Sequence, residues 1–287
     1  MQKYKIKSFS KINLSLRVIK KLKNNYHAIK SFITFCDLHD VILIQKINCS
    51  KDKISFSGKF KNGINKKKNT ITKVLQLLRK RRLLKREKFH IKVQKNIPLG
   101  SGLGGGSSNA ASLLNFFNKK LSGKLSKDKM QQIAKKIGFD VPINLERKNT
   151  LLIGQNDKML RTNKKFKLNI LLVYPNIICS TKKIYKKNDK FTLLDSKFKF
   201  ITKNRKKLNT YLKSESNDQE STVIKFYPKI QKIINFIQEQ KGCYFSRITG
   251  SGSVCIGIFS SMKLAIYAQK LIKQKFPKYW STVSKTI

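Results

Sequence analysis

Pro98-Leu99-Gly100-Ser101-Gly102-Leu103-Gly104-Gly105-Gly106-Ser107-Ser108, running on into Asn109-Ala110-Ala111, decides the reading of this 287-residue chain and holds five of its 14 glycines. Glycine reaches positive φ and lets a backbone come close to a ligand, and residues 107–111 open a helical pattern, so loop amides and a helix start converge as they do on an anion. The outline is a phosphate cradle. Upstream, residues 89–94 alternate apolar and polar as a strand does; downstream, Ala110, Ala111, Leu113, Leu114 and Phe117 share one face of a helix expected over 107–121. A flexible linker would not be followed by such a face.

Two common phosphate loops fit poorly. A Walker A loop needs Gly-Lys-Ser/Thr after its glycines, and none is present. The dinucleotide pattern G-x-G-x-x-G matches Gly100, Gly102 and Gly105, but the acidic residue due about 20 positions later would be Asp128, at a helix start.

Working outward, residues 4–19, 40–46 and 54–60 alternate as strands, 61–68 read as a solvated loop, and 69–84 carry apolar residues at helical spacing. Ser126 has the place of a helix N-cap, Gly138 that of its stop, and Asp140-Val141-Pro142 that of another capped start. Strands follow at 149–153 and 168–174, then a basic polar stretch over 181–209, an amphipathic helix over 223–240, strands at 244–248 and 254–259 and a helix over 262–276. This is an α+β chain of two domains, changing over near residues 155–165.

Composition sets limits. A net charge of +50 ordinarily points to nucleic acid. The lysines, however, are spread along the whole chain and accompanied by abundant Asn, Ile and Phe, the pattern of drift in an AT-rich genome. With only 14 acidic residues, each Asp or Glu inside a motif is informative. Five cysteines without CxxC and three dispersed histidines argue against a disulfide framework and a zinc site. There is no apolar run of the roughly 18 residues that span a bilayer and no signal-peptide core, so the cytoplasm is the expected compartment.

Pro98 followed by Gly102-Leu103-Gly104-Gly105-Gly106-Ser107-Ser108-Asn109-Ala110-Ala111 resembles the second motif, Pro-x-x-x-Gly-Leu-Gly-Ser-Ser-Ala, of the GHMP small-molecule kinases. Ser10-Lys11-Ile12-Asn13-Leu14 resembles the first motif and Thr249-Gly250-Ser251-Gly252-Ser253 the third. Lys11-Ile12-Asn13-Leu14, Tyr26-His27, Gly138-Phe139-Asp140-Val141-Pro142 and Asn217-Asp218-Gln219-Glu220 extend the resemblance, over nearly the whole chain, to the branch acting on a cytidyl diphosphate alcohol. Two departures are small: Asn24-Asn25 replaces Asp-Gly, and Ser101 stands where Gly or Ala is preferred.

The resemblance implies an N-terminal domain like ribosomal protein S5 domain 2 over 1–158, a ferredoxin-like C-terminal domain over 159–287, and a site in the cleft between them. It also implies ATP-dependent phosphorylation of the 2-hydroxyl of 4-diphosphocytidyl-2-C-methyl-D-erythritol in the non-mevalonate route to isoprenoids, with Mg2+ as counterion of ATP. On that basis the loop over 98–108, through its amides from about Leu99 to Ser108, holds the ATP phosphates, and the Ser107 and Ser108 hydroxyls either reach a phosphate or magnesium-bound water or cap the helix. Asp140 is the base or, alternatively, a helix cap. Lys11 is its partner and stabilises charge on the substrate oxygen. Tyr26 and Tyr185 enclose cytosine, His27 reads its edge, and Asn13 and Thr181 bind the diphosphate or the methylerythritol. A small-molecule partner is expected, with neither a membrane nor a specific nucleic acid. The rival readings are another GHMP kinase, for mevalonate or homoserine, and an RNA-binding protein using the basic surface.

Overall fold

The computed structural model describes residues 2–23, 26–84, 86–120, 124–154, 158–192 and 205–287. Asn24 and Asn25, Leu121 and the middle of the basic 181–209 stretch lie outside the described residues. In chain order the elements are β1 (Lys3–Asn13), β2 (Arg17–Lys21), β3 (His27–Ile47), β4 (Lys53–Ser57), α1 (Thr70–Lys80), β5 (Lys88–Gln94), α2 (Gly105–Lys120), α3 (Lys127–Ile137), α4 (Val141–Asn144), β6 (Asn149–Gly154), β7 (Lys158–Thr162) and β8 (Asn169–Tyr174). They continue as α5 (Thr181–Lys186), α6 (Arg205–Ser214), α7 (Glu220–Phe226), α8 (Lys229–Gln238), β9 (Cys243–Ile248), β10 (Cys255–Phe259), α9 (Met262–Lys275) and β11 (Trp280–Lys285).

The chain forms two compact units, one of Met1–Lys11, Leu38–Leu99 and Gly104–Arg147, the other of Ile12–Asp37, Gly100–Leu103 and Lys148–Ile287. In the first, β5 pairs antiparallel with the C-terminal half of β3 and parallel with β4, so α1 makes the crossover that a parallel pair needs. Ile42, Ile44, Ile91 and Val93 of the sheet pack with Val74 and Leu78 of α1, with Ala110, Leu113, Leu114 and Phe117 of α2, and with Ile133 and Ala134 of α3. Asn69 caps α1, accepting from Thr72 N at 3.0 Å, and Ser126 caps α3, accepting from Lys129 N at 3.3 Å. Each N-cap oxygen satisfies a donor that the helix itself leaves open.

In the second unit the N-terminal half of β3 pairs with β2 and β6, and β6 with β7. A second sheet has the order β11-β8-β10-β9, with every neighbour antiparallel. Its chain order, β8-α8-β9-β10-α9-β11 with α5, α6 and α7 inserted before α8, is that of a ferredoxin-like domain. Ile230, Ile233 and Ile237 of α8 and Ala265, Ala268 and Ile272 of α9 bury their faces against Leu171, Val173 and Phe259 of that sheet. Among the described residues no helix is long and apolar enough to cross a membrane.

The structure departs from the sequence reading in several places: 4–19 divides into β1 and β2, α5 and α6 arise from the basic stretch and its end, and four further departures each have a cause. Residues 27–36 are buried without interruption, so this half of β3 lacks the alternation that marks 40–46. The edge strands β7 and β11 have polar sequences and only half-buried faces. The single helix expected over 223–240 is α7 and α8, because Pro228 lacks an N–H and keeps the residue before it out of helical geometry; Tyr227 has φ −139°. Helix α2 begins two residues early, at Gly105.

Candidate active site

Lys11 stands at the end of the first unit's opening segment, its side chain 7% exposed. A Cβ added to Gly104 would lie 2.7 Å from Lys11 Cγ and 3.0 Å from Cε, and Gly104 has φ +66°. Only glycine leaves room for the lysine stem and takes that backbone without strain. Lys11 Nζ comes within 3.5 Å of Asp140 Oδ2.

Asp140 holds the N-cap position of α4, yet its carboxylate makes no capping hydrogen bond. The backbone is fixed by other means: Asn144 Nδ2 donates to the Asp140 carbonyl at 2.6 Å, and Pro142 presets the first turn. The carboxylate, about a third exposed, is left to face Lys11. A carboxylate beside an ammonium can accept a proton from a hydroxyl and stabilise the oxygen that results.

Gly105, Gly106 and Ser107 form the start of α2, where N–H groups have no intrahelical acceptors and the macrodipole favours an anion. As third and fourth residues of the helix, Ser107 and Ser108 do not cap it. Ser107 is half-buried. The Ser108 hydroxyl accepts from Ser8 Oγ at 2.9 Å and donates to the Phe9 carbonyl at 2.6 Å, which ties α2 to β1. Thr70 Oγ1 donates to the Gly106 carbonyl at 2.9 Å. Around Thr70 opens a depression of about 490 Å3 lined also by Lys67, Lys68, Asn69 and Lys73, a concentration of positive charge where the expected solvated loop meets the expected helix.

The middle of the glycine loop belongs to the second unit. Gly100 O accepts from Cys179 N at 3.0 Å and Ser101 O from Val254 N at 3.1 Å. Both Ser101 and Leu103 are buried. Asn13 N donates to Thr249 Oγ1 at 2.9 Å, Asn13 Nδ2 to Ser31 Oγ at 2.7 Å, and Thr181 Oγ1 is 2.9 Å from Ser251 Oγ. Asn217 Nδ2 donates to the Ile248 and Gly250 carbonyls, and Glu220 Oε2 accepts from Ile248 N. The Asn217-Asp218-Gln219-Glu220 element, which has no role on sequence grounds, is thus a clip on the 249–253 turn.

His27 is buried, its ring 5.2 Å from that of Tyr185 and, nearly parallel, 6.4 Å from that of Phe191. Tyr26 is 53% and Phe191 49% exposed. Phe191 sits in the basic stretch, where no periodicity singles it out; Thr192 beside it donates to Asp218 Oδ2 at 2.7 Å. Burial, and then the charge of Lys21, holds the His27 imidazole below its ordinary pKa. The unfolded chain therefore takes up a proton first as pH falls, and stability should drop below about pH 6.5. His27→Gln should lose less Tm between pH 7 and pH 5 than the parent protein does, in thermal unfolding at the two pH values. Equal losses would assign the titration to other groups.

Comparison with known proteins shows that residues 69–145 match the model of the GHMP kinases N terminal domain and 200–278 that of the GHMP kinases C terminal domain. A 4-diphosphocytidyl-2-C-methyl-D-erythritol kinase of Pelagibacter ubique is 41% identical over the full length of both chains. One of Caldanaerobacter subterraneus is 34% identical, covering 99% of this chain and 97% of its own. Among solved structures, a 4-(cytidine 5'-diphospho)-2C-methyl-D-erythritol kinase superposes with TM-score 0.78 at 19% identity, covering 98% of this chain and 99% of its own. The mevalonate kinase of Methanococcus jannaschii reaches 0.71 at 14% identity, covering 100% of this chain and 99% of its own.

Proposed function

The chain belongs to the 4-diphosphocytidyl-2-C-methyl-D-erythritol kinases of the GHMP kinase superfamily, and from that premise we propose how its residues divide the work of ATP-dependent phosphorylation of that substrate's 2-hydroxyl. The observation that carries the chemistry is the ion pair of Lys11 and Asp140, with the carboxylate free of helix capping. Asp140 accepts the hydroxyl proton as the oxygen attacks the γ-phosphorus of ATP, and Lys11 stabilises the negative charge that grows on that oxygen. The bond from the γ-phosphorus to the bridging oxygen breaks, and ADP leaves. Phosphoryl transfer asks for positioning and charge neutralisation more than for covalent catalysis, which suits this inventory of side chains.

The phosphates of ATP fall to the loop over 98–108, whose N–H donors run from Leu99 on, and to the start of α2, with the lysines of the depression beside Thr70 adding positive charge. Among the described residues no three side chains of His, Cys, Asp or Glu gather as a metal cage. Magnesium held mainly by the phosphates fits such a site, with Ser107 as an available protein oxygen, and it would neutralise phosphate charge. Asn13 and Thr181 are assigned to the diphosphate or the methylerythritol. The cytosine falls to Tyr26, His27 and Tyr185, with Phe191 as a further wall. Domains over 1–158 and 159–287 belong to the same reading; the change of sheet between Thr162 and Asn169 lies near that boundary, whereas the compact units group residues 12–37 and 100–103 with 148–287. The cytoplasm is the assigned compartment.

Base stacking contributes about 1–3 kcal/mol per base, so Tyr26→Ala and Phe191→Ala should each raise KM for the cytidyl substrate roughly 5–150-fold. KM for ATP should stay within about twofold, and steady-state kinetics with one substrate saturating measures both. The function itself is tested with purified protein, ATP and a panel of cytidyl substrate, mevalonate and homoserine. Phosphorylation of the cytidyl alcohol alone is expected; turnover of mevalonate or homoserine without it would overturn the reading.

A further inference from the structure

A buried charged cluster beneath the first turn of α2 takes no part in the chemistry above. Lys95 is 1% and Asp40 0% exposed. Lys95 Nζ donates to Asp40 Oδ2 and, at 3.1 Å, to Asn109 Oδ1. Asp40 Oδ1 accepts from Asn96 N at 2.7 Å and Ile97 N at 2.9 Å, while Oδ2 accepts from Asn109 Nδ2 at 3.0 Å. Asn109 Nδ2 also donates to Ser8 Oγ at 2.9 Å, the hydroxyl that in turn donates to Ser108.

The chain order of these partners is informative. Asn96 and Ile97 immediately precede Pro98, where the glycine loop begins; Asn109 lies in the second turn of α2, where the loop has ended. One carboxylate grips both stems. The contact with the helix is close, since a Cβ on Gly105 would stand 3.3 Å from Lys95 Nζ.

A buried ion pair is a poor device for stability alone, because desolvating two charges offsets most of their attraction and apolar side chains fill the same space as well or better. What the pair does provide is direction: each of its hydrogen bonds fixes a distance and an angle. Loop residues that must hold their amides at a ligand otherwise lose about 1–2 kcal/mol of backbone entropy each on binding. Stems fixed in advance remove part of that loss.

We propose that Asp40, Lys95 and Asn109 are positioning residues of the phosphate loop, fixing its two stems so that its amides stand ready for the phosphates of ATP. The inference rests on the assignment of ATP to that loop. Asn109→Ala releases the helix stem and keeps the ion pair; Asp40→Asn with Lys95→Met removes both charges together. Calorimetric titration with a magnesium complex of a non-hydrolysable ATP analogue should show Kd raised about fivefold in the first, the size of one lost hydrogen bond, and more in the second. Affinity for the cytidyl substrate should stay within about twofold, since a merely structural loss would move both ligands together.

If the double variant fails to fold, Asn109→Ala decides alone. Analogue binding within twofold of the parent in a folded variant, or equal loss for both ligands, would overturn the positioning role while parent turnover leaves the function standing. A parent that binds the analogue but does not turn over the cytidyl substrate would sink the substrate assignment and leave this inference testable. A parent that does not bind the analogue would overturn both.

Discussion

Asp140→Asn should lower kcat about a thousandfold, within the range that a positioned acid or base contributes, and change either KM only a few-fold. Asparagine keeps the size of the side chain and the backbone held by Asn144 and Pro142, so α4 should form as before. What disappears is the capacity to take a proton. Because the carboxylate caps nothing, Tm should fall only by what its ion pair with the buried Lys11 contributes, a change far too small to account for a thousandfold loss of kcat. A kcat within tenfold of the parent would remove Asp140 from the role of base. Phosphoryl transfer with a loose transition state needs the proton taken late; a smaller, pH-dependent loss would instead assign the aspartate to orienting the hydroxyl.

Gly102→Ala should be the most damaging Gly→Ala change among the described residues. Gly102 has φ +81°, and a Cβ there would stand 2.0 Å from the Thr249 carbonyl oxygen and 3.3 Å from Gly252 N. Neither neighbour is the tip of a flexible side chain. The left-handed conformation adds about 1–2 kcal/mol for a residue with a Cβ, and crowding into packed backbone adds about 1–3 kcal/mol. A fall in Tm of roughly 3–8 °C follows for a chain of this size, together with weaker ATP binding as loop and turn are pushed apart. Gly63→Ala is a fitting control: it too has positive φ, but its Cβ would meet nothing nearer than 3.8 Å. If both variants melted alike, backbone strain alone would account for the effect and the close approach to Thr249 would carry none of it.

The glycine run and the helix behind it are legible in the sequence because local chemistry marks them: five glycines and an apolar face at helical spacing; Asp140, which local chemistry alone reads as a helix cap, is singled out by the family resemblance. Lys11 carries no such mark among so many lysines. Its position becomes explicable only through Gly104, whose missing side chain makes room for its stem. The Ser108 hydroxyl is legible as a motif member and not in its direction, because which way a hydroxyl points depends on β1, about 100 residues away. Phe191 carries no periodic mark in the basic stretch, and its nearness to His27 comes only from tertiary contact; the depression beside Thr70 lies where the expected loop meets the expected helix, and a concave surface leaves no mark in residue spacing. The doubly buried half of β3 was missed because burial on both faces erases the alternation by which strands are recognised.

The pairing of β8 with β11 sets an order of events during synthesis. Tyr174 faces Trp280 across that ladder, so an interior strand of the second sheet waits for roughly a hundred further residues before one of its edges is covered. At about 5–20 residues per second the wait is roughly 5–20 s on the ribosome, long compared with the folding of most local structure. During that time a strand with the sequence Asn-Ile-Leu-Leu-Val-Tyr presents open backbone groups and an apolar face. A net charge of +50 keeps neighbouring copies of the chain apart by like-charge repulsion while that strand waits.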